Sequence, residues 1–128
     1  MAGYKLSKSE IKREILKCGR DPDYFINNYV KIAHPIHGLI PFKTYPFQSD
    51  LLRNFNDYRF NTILKARQLG ISTITAAYTL WLMMFFREKN ILILATQLKT
   101  ASNMVKKVRS MLKYLPEWLQ IAKTPIDN

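Results

Sequence analysis

The sequence predicts an α/β fold whose core is a right-handed β-α-β unit of a parallel sheet. Two apolar runs, 60–64 and 91–95, are typical of buried strands, and the apolar segment 74–86 between them has the length of a helix. Unbroken apolar strands that alternate with helices indicate a sheet covered on both faces, so 60–95 is predicted to be one crossover unit. Because a two-stranded sheet leaves exposed edges, we expect this unit to be incomplete.

Two short amphipathic helices are predicted at the N-terminus. Ser7 and Glu10 have the spacing of a capping box at the start of the first helix. Asp21 followed by Pro22 is typical of an N-cap with proline at the first helical position of the second helix. The sequence therefore predicts a helical lead-in over residues 1–40.

The next predicted elements are a loop and two more helices. His34 and His37 lie in a segment that we predict to be a structural loop, since no third metal ligand is near them in the sequence. A helix is predicted from Tyr45 to around residues 54–57, and another over about 100–114. The basic face of this last helix either follows a phosphate backbone or is simply solvated.

The turn between the first predicted strand and the following helix has features of a phosphate-binding loop. Such a loop needs backbone N–H groups, a glycine that permits close approach, and a helix N-terminus. In the pattern G-x-x-x-x-G-K-[ST], Gly70 and Ser72 fall in place, but Lys65 occupies the first glycine and Ile71 the lysine. The turn is either a variant nucleotide site with its lysine moved forward or an ordinary strand-to-helix turn.

If the turn binds ATP with Mg²⁺, its side chains have distinct predicted roles. Lys65 or Arg67 supplies the cation for the phosphates, and the Ser72 hydroxyl is the candidate Mg²⁺ ligand. Gln48 lies upstream and is either an adenine reader, because its amide donates and accepts, or an exposed glutamine without a role. The catalytic candidates are Lys65 and Arg67. The candidate nucleotide-binding residues are Gln48, Lys65, Arg67, Gln68, Gly70, Ile71, Ser72 and Thr73.

The composition limits the partners, metal sites and cellular location that we expect for this chain. The chain has 20 Lys and Arg against 9 Asp and Glu, and the net charge of +11 favours a polyanionic partner such as nucleic acid. The alternative is that acidic residues in a longer chain balance this charge. Cys18 is the only cysteine, which excludes an intrachain disulfide and a Cys-based zinc site. The start lacks a secretory signal and the most apolar window is too short for a membrane span, so we expect a soluble intracellular protein.

Three segments together resemble the large terminase subunit of tailed bacteriophages. They are Tyr-Pro-Phe-Gln at 45–48, the turn 65–73 and the apolar run 91–95, and 108–120 is similar as well. The resemblance covers roughly residues 40–120 and is specific at Arg-Gln-Leu-Gly. It implies a P-loop NTPase-like core, with 41–128 as the N-terminal part of an ATPase domain truncated before Walker B. It also implies that Lys65 replaces the lysine of the loop, that Ile71 is a family trait, and that Gln48 reads adenine.

The resemblance further implies an ATPase that drives double-stranded DNA into a capsid in the cytoplasm of the bacterial host. Its partners in that family are the portal protein, the small terminase subunit and other copies of the motor subunit, and the intact protein carries an endonuclease. No apolar run ending in two acids is present, so we expect negligible hydrolysis by this chain alone. The alternatives are a helicase-like DNA translocase with the same core and a non-catalytic basic DNA-binding protein.

Overall fold

The computed structural model describes residues 6–34, 36–64, 70–86 and 89–121, and this part of the chain is 64% helical. It forms six helices and one two-stranded sheet. The helices are α1 (Lys8–Arg20), α2 (Pro22–Tyr29), α3 (Pro46–Asp57), α4 (Ile71–Phe85), α5 (Leu98–Lys113) and α6 (Glu117–Ile121), and the strands are β1 (Lys31–His34) and β2 (Gly38–Pro41).

The predicted parallel sheet and its P-loop NTPase-like β-α-β core are wrong. The described residues contain only the antiparallel pair β1–β2, in which Ile32 lies opposite Ile40. The apolar runs 60–64 and 91–95 form no strands, and Phe60 and Leu64 are 83% and 101% exposed. An unbroken apolar run becomes a buried strand only where other strands and helices cover it, and the described residues place no strand beside either run.

The histidine segment that we predicted to be a loop lies at the turn of a β-hairpin, whose two strands were not predicted. The histidine-rich segment is its turn: the His34 Nδ1 accepts hydrogen bonds from the backbone N–H groups of Ile36 and His37, both at 3.1 Å. Gly38 follows with φ of +70°, a left-handed conformation that favours glycine. Each strand has only four residues, too few for an alternating pattern to stand out in the sequence.

The helix predictions from local signals are confirmed. Ser7 Oγ accepts from the backbone N–H of Glu10 at 3.2 Å, and the Asp21 carboxylate caps α2 by accepting from the N–H of Asp23 at 3.0 Å. Helices α3, α4 and α5 begin and end close to the predicted positions, although α4 begins before the apolar segment and α5 begins two residues before residue 100. The short helix α6 was not predicted.

The core is built around α4, which contacts α2, α3 and α5. Ile74, Leu80 and Trp81 of α4 are at most 2% exposed. The indole N–H of Trp81 donates a buried hydrogen bond of 2.7 Å to the backbone carbonyl of Cys18, near the end of α1. The N-terminal helices therefore share one core with α4, and the domain boundary at residue 40 stays a prediction. Among the described residues, no helix combines the length and apolarity required to cross a membrane.

Candidate functional site

A cavity of about 700 Å³ lies where the β-hairpin meets the starts of α3 and α4. We call it the hairpin cavity. Its walls are mostly apolar and aromatic, with a small number of polar groups, and this composition is typical of small-molecule sites. No carboxylate of the described residues lines it. The lining residues are Ile32, His34, Ile40, Pro41, Phe42, Lys43, Tyr45, Phe47, Gln48, Gly70 and Thr73.

Gln48 is a buried polar side chain of this cavity, with only 3% of its surface exposed. Its Oε1 accepts from the backbone N–H of Tyr45 at 2.9 Å, and its Nε2 donates to the carbonyl oxygen of Gly70 at 3.2 Å. An amide has two hydrogens and two oxygen lone pairs, so each end keeps one hydrogen-bonding position after these contacts. The amide is therefore fixed in orientation and still able to donate and accept toward a ligand.

Gly70 is constrained by geometry on two counts. It is the N-cap of α4 with φ of +72°, where a side chain is strained. A Cβ at this position would lie 2.7 Å from Nε2 of Gln48. Its carbonyl oxygen also accepts from the N–H of Ile74 at 3.0 Å, so the first turn of α4 and the Gln48 amide share one acceptor. Any shift of this turn therefore moves Gln48.

Two aromatic rings lie at the N-terminus of α3. The rings of Tyr45 and Phe47 are nearly parallel, with an interplanar angle of 6° and centroids 5.9 Å apart. They are 65% and 40% exposed, although both line the hairpin cavity. Exposed flat rings beside a fixed amide form a surface on which a heteroaromatic base can stack while the amide binds its edge.

A hydrogen-bond network centred on Asp23 holds the N-terminus of α3 in place. Its Oδ1 accepts from Asn27 Nδ2 (2.9 Å), Thr44 Oγ1 (3.1 Å) and Ser49 Oγ (3.0 Å). Asn27 Oδ1 in turn accepts from the backbone N–H of Thr44 at 2.9 Å. The network joins α2, the segment after β2 and α3, and thereby fixes the residue that precedes Tyr45.

The structure brings together some of the predicted site residues. Gln48, Gly70 and Thr73 line the hairpin cavity. Ile71 is buried at the first position of α4, and Ser72 is exposed at the second; neither lines this cavity. Three predicted residues lie outside the described part of the chain, namely Lys65, Arg67 and Gln68. The roles of these three in phosphate binding and catalysis stay predictions.

The described residues do not by themselves offer a magnesium site. Mg²⁺ is usually held through one or two carboxylates together with substrate phosphates. Within the described ranges, no group of three or more His, Cys, Asp or Glu side chains is placed to hold a metal ion. The Ser72 hydroxyl alone does not meet that requirement, so no chemical step is derived through the metal. His34 has a different described role, because its Nδ1 accepts within the hairpin turn and its ring stacks on His37 at 4.7 Å.

A second, smaller cavity of about 200 Å³ lies between β1, the first turn of α4 and α5. We call it the lysine cavity. In its wall, Nζ of Lys107 lies 3.5 Å from Oγ1 of Thr73. Ile32 and Thr73 line both cavities, so the two adjoin. The lining residues of the lysine cavity are Lys31, Ile32, Ala33, Thr73, Lys107, Ser110 and Met111.

A titratable cluster outside both cavities joins α1 to α2. The Glu14 carboxylate accepts hydrogen bonds from the hydroxyls of Tyr24 (2.8 Å) and Tyr29. The Tyr29 hydrogen bond, followed by that of Tyr24 and the charge of Lys17, lowers the pKa of Glu14 against the opposing effect of burial. The hydrogen bond to Glu14 raises the pKa of Tyr24 to about 12. Burial is the main cause that raises the pKa of Cys18 to about 12.

Several residues of the site were not found from the sequence. Tyr45 and Phe47 carried a signal, because they flank Gln48 in the Tyr-Pro-Phe-Gln segment. Asp23 and Lys107 carried none, since they reach the site from helices that are distant along the chain.

No protein family model matches this chain. The function is therefore inferred from the site and from the resemblance described above.

Proposed function

We propose that the chain binds the adenine base of ATP in the hairpin cavity. The observation that carries this proposal is the Gln48 amide, buried and held at both ends, with one donor and one acceptor position left beside the cavity. Adenine presents a donor, its amino group, next to an acceptor ring nitrogen, which is the complement of an amide. Tyr45 and Phe47 offer ring faces for stacking, and Ile32 and Ile40 offer apolar contacts. Adenine recognition of this kind needs only the cavity and no parallel sheet.

Selectivity for the base is the direct test. Isothermal titration of the 128-residue chain with adenosine and guanosine is expected to show at least about tenfold tighter binding of adenosine, because guanine presents a carbonyl where adenine presents an amino group. Gln48→Ala is expected to reduce that ratio to near one. Gln97→Ala removes an exposed glutamine at the start of α5 and is the matched control. Equal affinity for both nucleosides in the wild-type chain would rule out adenine recognition.

The wider role follows from the resemblance to the large terminase subunit. We place the chain in a viral DNA-packaging motor that works in the cytoplasm of the bacterial host and couples ATP hydrolysis, with Mg²⁺, to translocation of double-stranded DNA. The portal protein, the small terminase subunit and other motor subunits are its proposed partners. In the complete motor, Lys65→Ala is expected to abolish ATP hydrolysis, and unchanged turnover would contradict the role of Lys65.

A second candidate function is DNA binding without catalysis, and the exposed face of α5 favours it. Lys99, Lys106 and Lys113 are seven residues apart, so they lie along one side of the helix, and all are exposed. Within the described residues, none of them makes an ion pair. Duplex binding through this face is expected to weaken with salt, and the slope of log K against log salt should fall by about two in the Lys106→Ala/Lys113→Ala variant. An unchanged slope would exclude this face.

A further inference from the structure

The lysine cavity has the composition of an anion site. Its polar lining residues are Lys31, Lys107, Thr73 and Ser110, of which both lysines are exposed, and no carboxylate of the described residues lines it. Within the same part of the chain, neither lysine forms an ion pair. Two lysines that line one small cavity bring like charges together, and a bound anion would relieve their repulsion.

Three separate elements supply these groups. Lys31 comes from β1, Thr73 from the first turn of α4, and Lys107 and Ser110 from α5. The 3.5 Å approach of the Lys107 amine to the Thr73 hydroxyl places a cation beside the positive end of the α4 dipole. The apolar floor, to which Ile32 and Met111 contribute, lowers the local dielectric and strengthens an ion pair formed there.

We infer that Lys107 and Lys31 bind the phosphate groups of the nucleotide whose base lies in the hairpin cavity. Ile32 and Thr73 line both cavities, so the two lie side by side, and in this inference one elongated ligand extends from one to the other. A nucleoside polyphosphate has the matching form, with a flat base at one end and clustered negative charge at the other. The choice of a nucleotide as the source of the phosphates rests on the proposed adenine site, whereas the anion site does not.

The assignment adds a function to α5. In this arrangement the helix supplies two sets of lysines, all of them exposed: Lys99, Lys106 and Lys113 lie along one side, and Lys107 reaches Thr73 of α4. Bound phosphate would join α5, α4 and β1 through Lys107, Thr73 and Lys31. The position of α5 would therefore depend on whether the nucleotide carries its phosphates.

The test uses the 128-residue chain and four probes: adenosine, AMP, ATP and inorganic tripolyphosphate, without added metal. Wild-type affinity is expected to increase from adenosine to ATP, and tripolyphosphate is expected to bind alone. Lys107→Ala should weaken ATP and tripolyphosphate at least about tenfold, the size of a lost hydrogen bond to a charged group, and leave adenosine unchanged. Lys31→Ala should act in the same direction. Lys12→Ala removes an exposed lysine of α1 that lines neither cavity, and it should change each affinity less than about twofold.

The outcomes separate this inference from the proposed function. If Lys107→Ala and Lys31→Ala bind ATP and tripolyphosphate as the wild-type chain does, the phosphate site is overturned while adenine binding stands. If tripolyphosphate binds through Lys107 but adenosine does not bind, the anion site stands, and both the adenine site and the nucleotide source are overturned. Equal losses of ATP affinity in Lys12→Ala and Lys107→Ala would show that only the net charge matters and would overturn the site. Far-ultraviolet circular dichroism of each variant, which should match that of the wild-type chain, confirms that the fold is retained.

Discussion

The side-chain amide of Gln48 donates a hydrogen bond to the carbonyl oxygen of Gly70, 22 residues further along the chain. This contact joins the first turn of α3 to the N-cap of α4. Because the same amide also accepts from the backbone of Tyr45, three parts of the hairpin cavity depend on one side chain. The geometry of the site is therefore sensitive to small changes at either residue.

Gly70→Ala is expected to weaken adenosine binding as well as stability. The positive φ alone costs about 1 kcal/mol, and the new Cβ would in addition displace Nε2 of Gln48, which lies 2.7 Å from its position. Gly38→Ala is the matched control, because Gly38 has a similar φ of +70° but no atom of the described residues within 4 Å of the place that a Cβ would take. Chemical denaturation and adenosine titration of both variants measure the two effects.

Both variants should lose stability, and only Gly70→Ala should lose adenosine affinity, by about tenfold or more. An equal loss of affinity in Gly38→Ala would mean that the strain, and not the displaced amide, is responsible.

Asp23→Ala is expected to destabilise the fold by about 1–3 kcal/mol, because it removes the shared acceptor of three hydrogen bonds. It should also weaken adenosine binding, since the segment that carries Tyr45 loses its attachment to α2. Asp23→Asn keeps an acceptor oxygen and should recover part of both losses. The measurements are the urea midpoint and the adenosine Kd.

Asp50→Ala serves as the comparison, because Asp50 is exposed on α3 and its ion pair with Arg53, at 3.5 Å, lies on the surface. A change below about 0.5 kcal/mol is expected there. If Asp23→Ala changes the urea midpoint and the adenosine Kd as little as Asp50→Ala does, the Asp23 network does not hold the segment that carries Tyr45.

The Glu14 cluster is expected to make stability depend on pH on the acid side. The folded state lowers the pKa of Glu14, chiefly through the Tyr29 hydrogen bond, so folding favours the ionised carboxylate. Its stabilising contribution is full above the ordinary carboxyl pKa of about 4.3 and is lost as the pH falls through the lowered folded value. The urea midpoint of the wild-type chain should therefore fall more steeply below about pH 5 than that of Glu14→Gln.

Glu117→Gln is a suitable control, since Glu117 is exposed in the first turn of α6. It should retain the wild-type pH dependence. A Glu14→Gln profile parallel to the wild-type profile would show that the cluster does not couple protonation to folding.

Cys18 is expected to resist alkylation in the folded chain. Its side chain is fully buried, and burial raises its pKa to about 12, so both access and the thiolate fraction are low at neutral pH. Iodoacetamide should modify the chain only in denaturant, as measured by mass spectrometry. Because Cys18 is the only cysteine, the modified mass has a single origin. Modification at the same rate in native buffer would contradict the packing of α1 against α4.

The sequence predicted the helices well because their signals are local. Ser7 and Asp21 act through residues two or three positions away, and the structure confirms both caps. The strands depended on partners that local patterns do not reveal. The run 60–64 has the apolar character of a buried strand, yet no described strand pairs with it, and Leu64 is fully exposed.

The site was predictable only in part, for the same reason. Gln48 and Gly70 were each selected from their chemistry, but their contact was not, because spacing in sequence does not show which turns meet. The β-hairpin that lines the cavity was not predicted. Its turn is stabilised by the His34 ring nitrogen as an acceptor and lacks a typical two-residue turn sequence such as Asn-Gly. The contact of Lys107 with Thr73 was not predicted, since it depends on how α5 crosses α4.

Trp81, whose indole donates a hydrogen bond to the Cys18 carbonyl, is a natural fluorescent probe of the contact between α4 and α1. The other tryptophan, Trp118, packs edge-on against the ring of Tyr29 with centroids 5.2 Å apart. Both indoles thus touch the N-terminal helices, one at α1 and one at α2, although they lie far along the chain. Intrinsic fluorescence should therefore shift to longer wavelength when these helices detach, which allows their docking to be followed without a label.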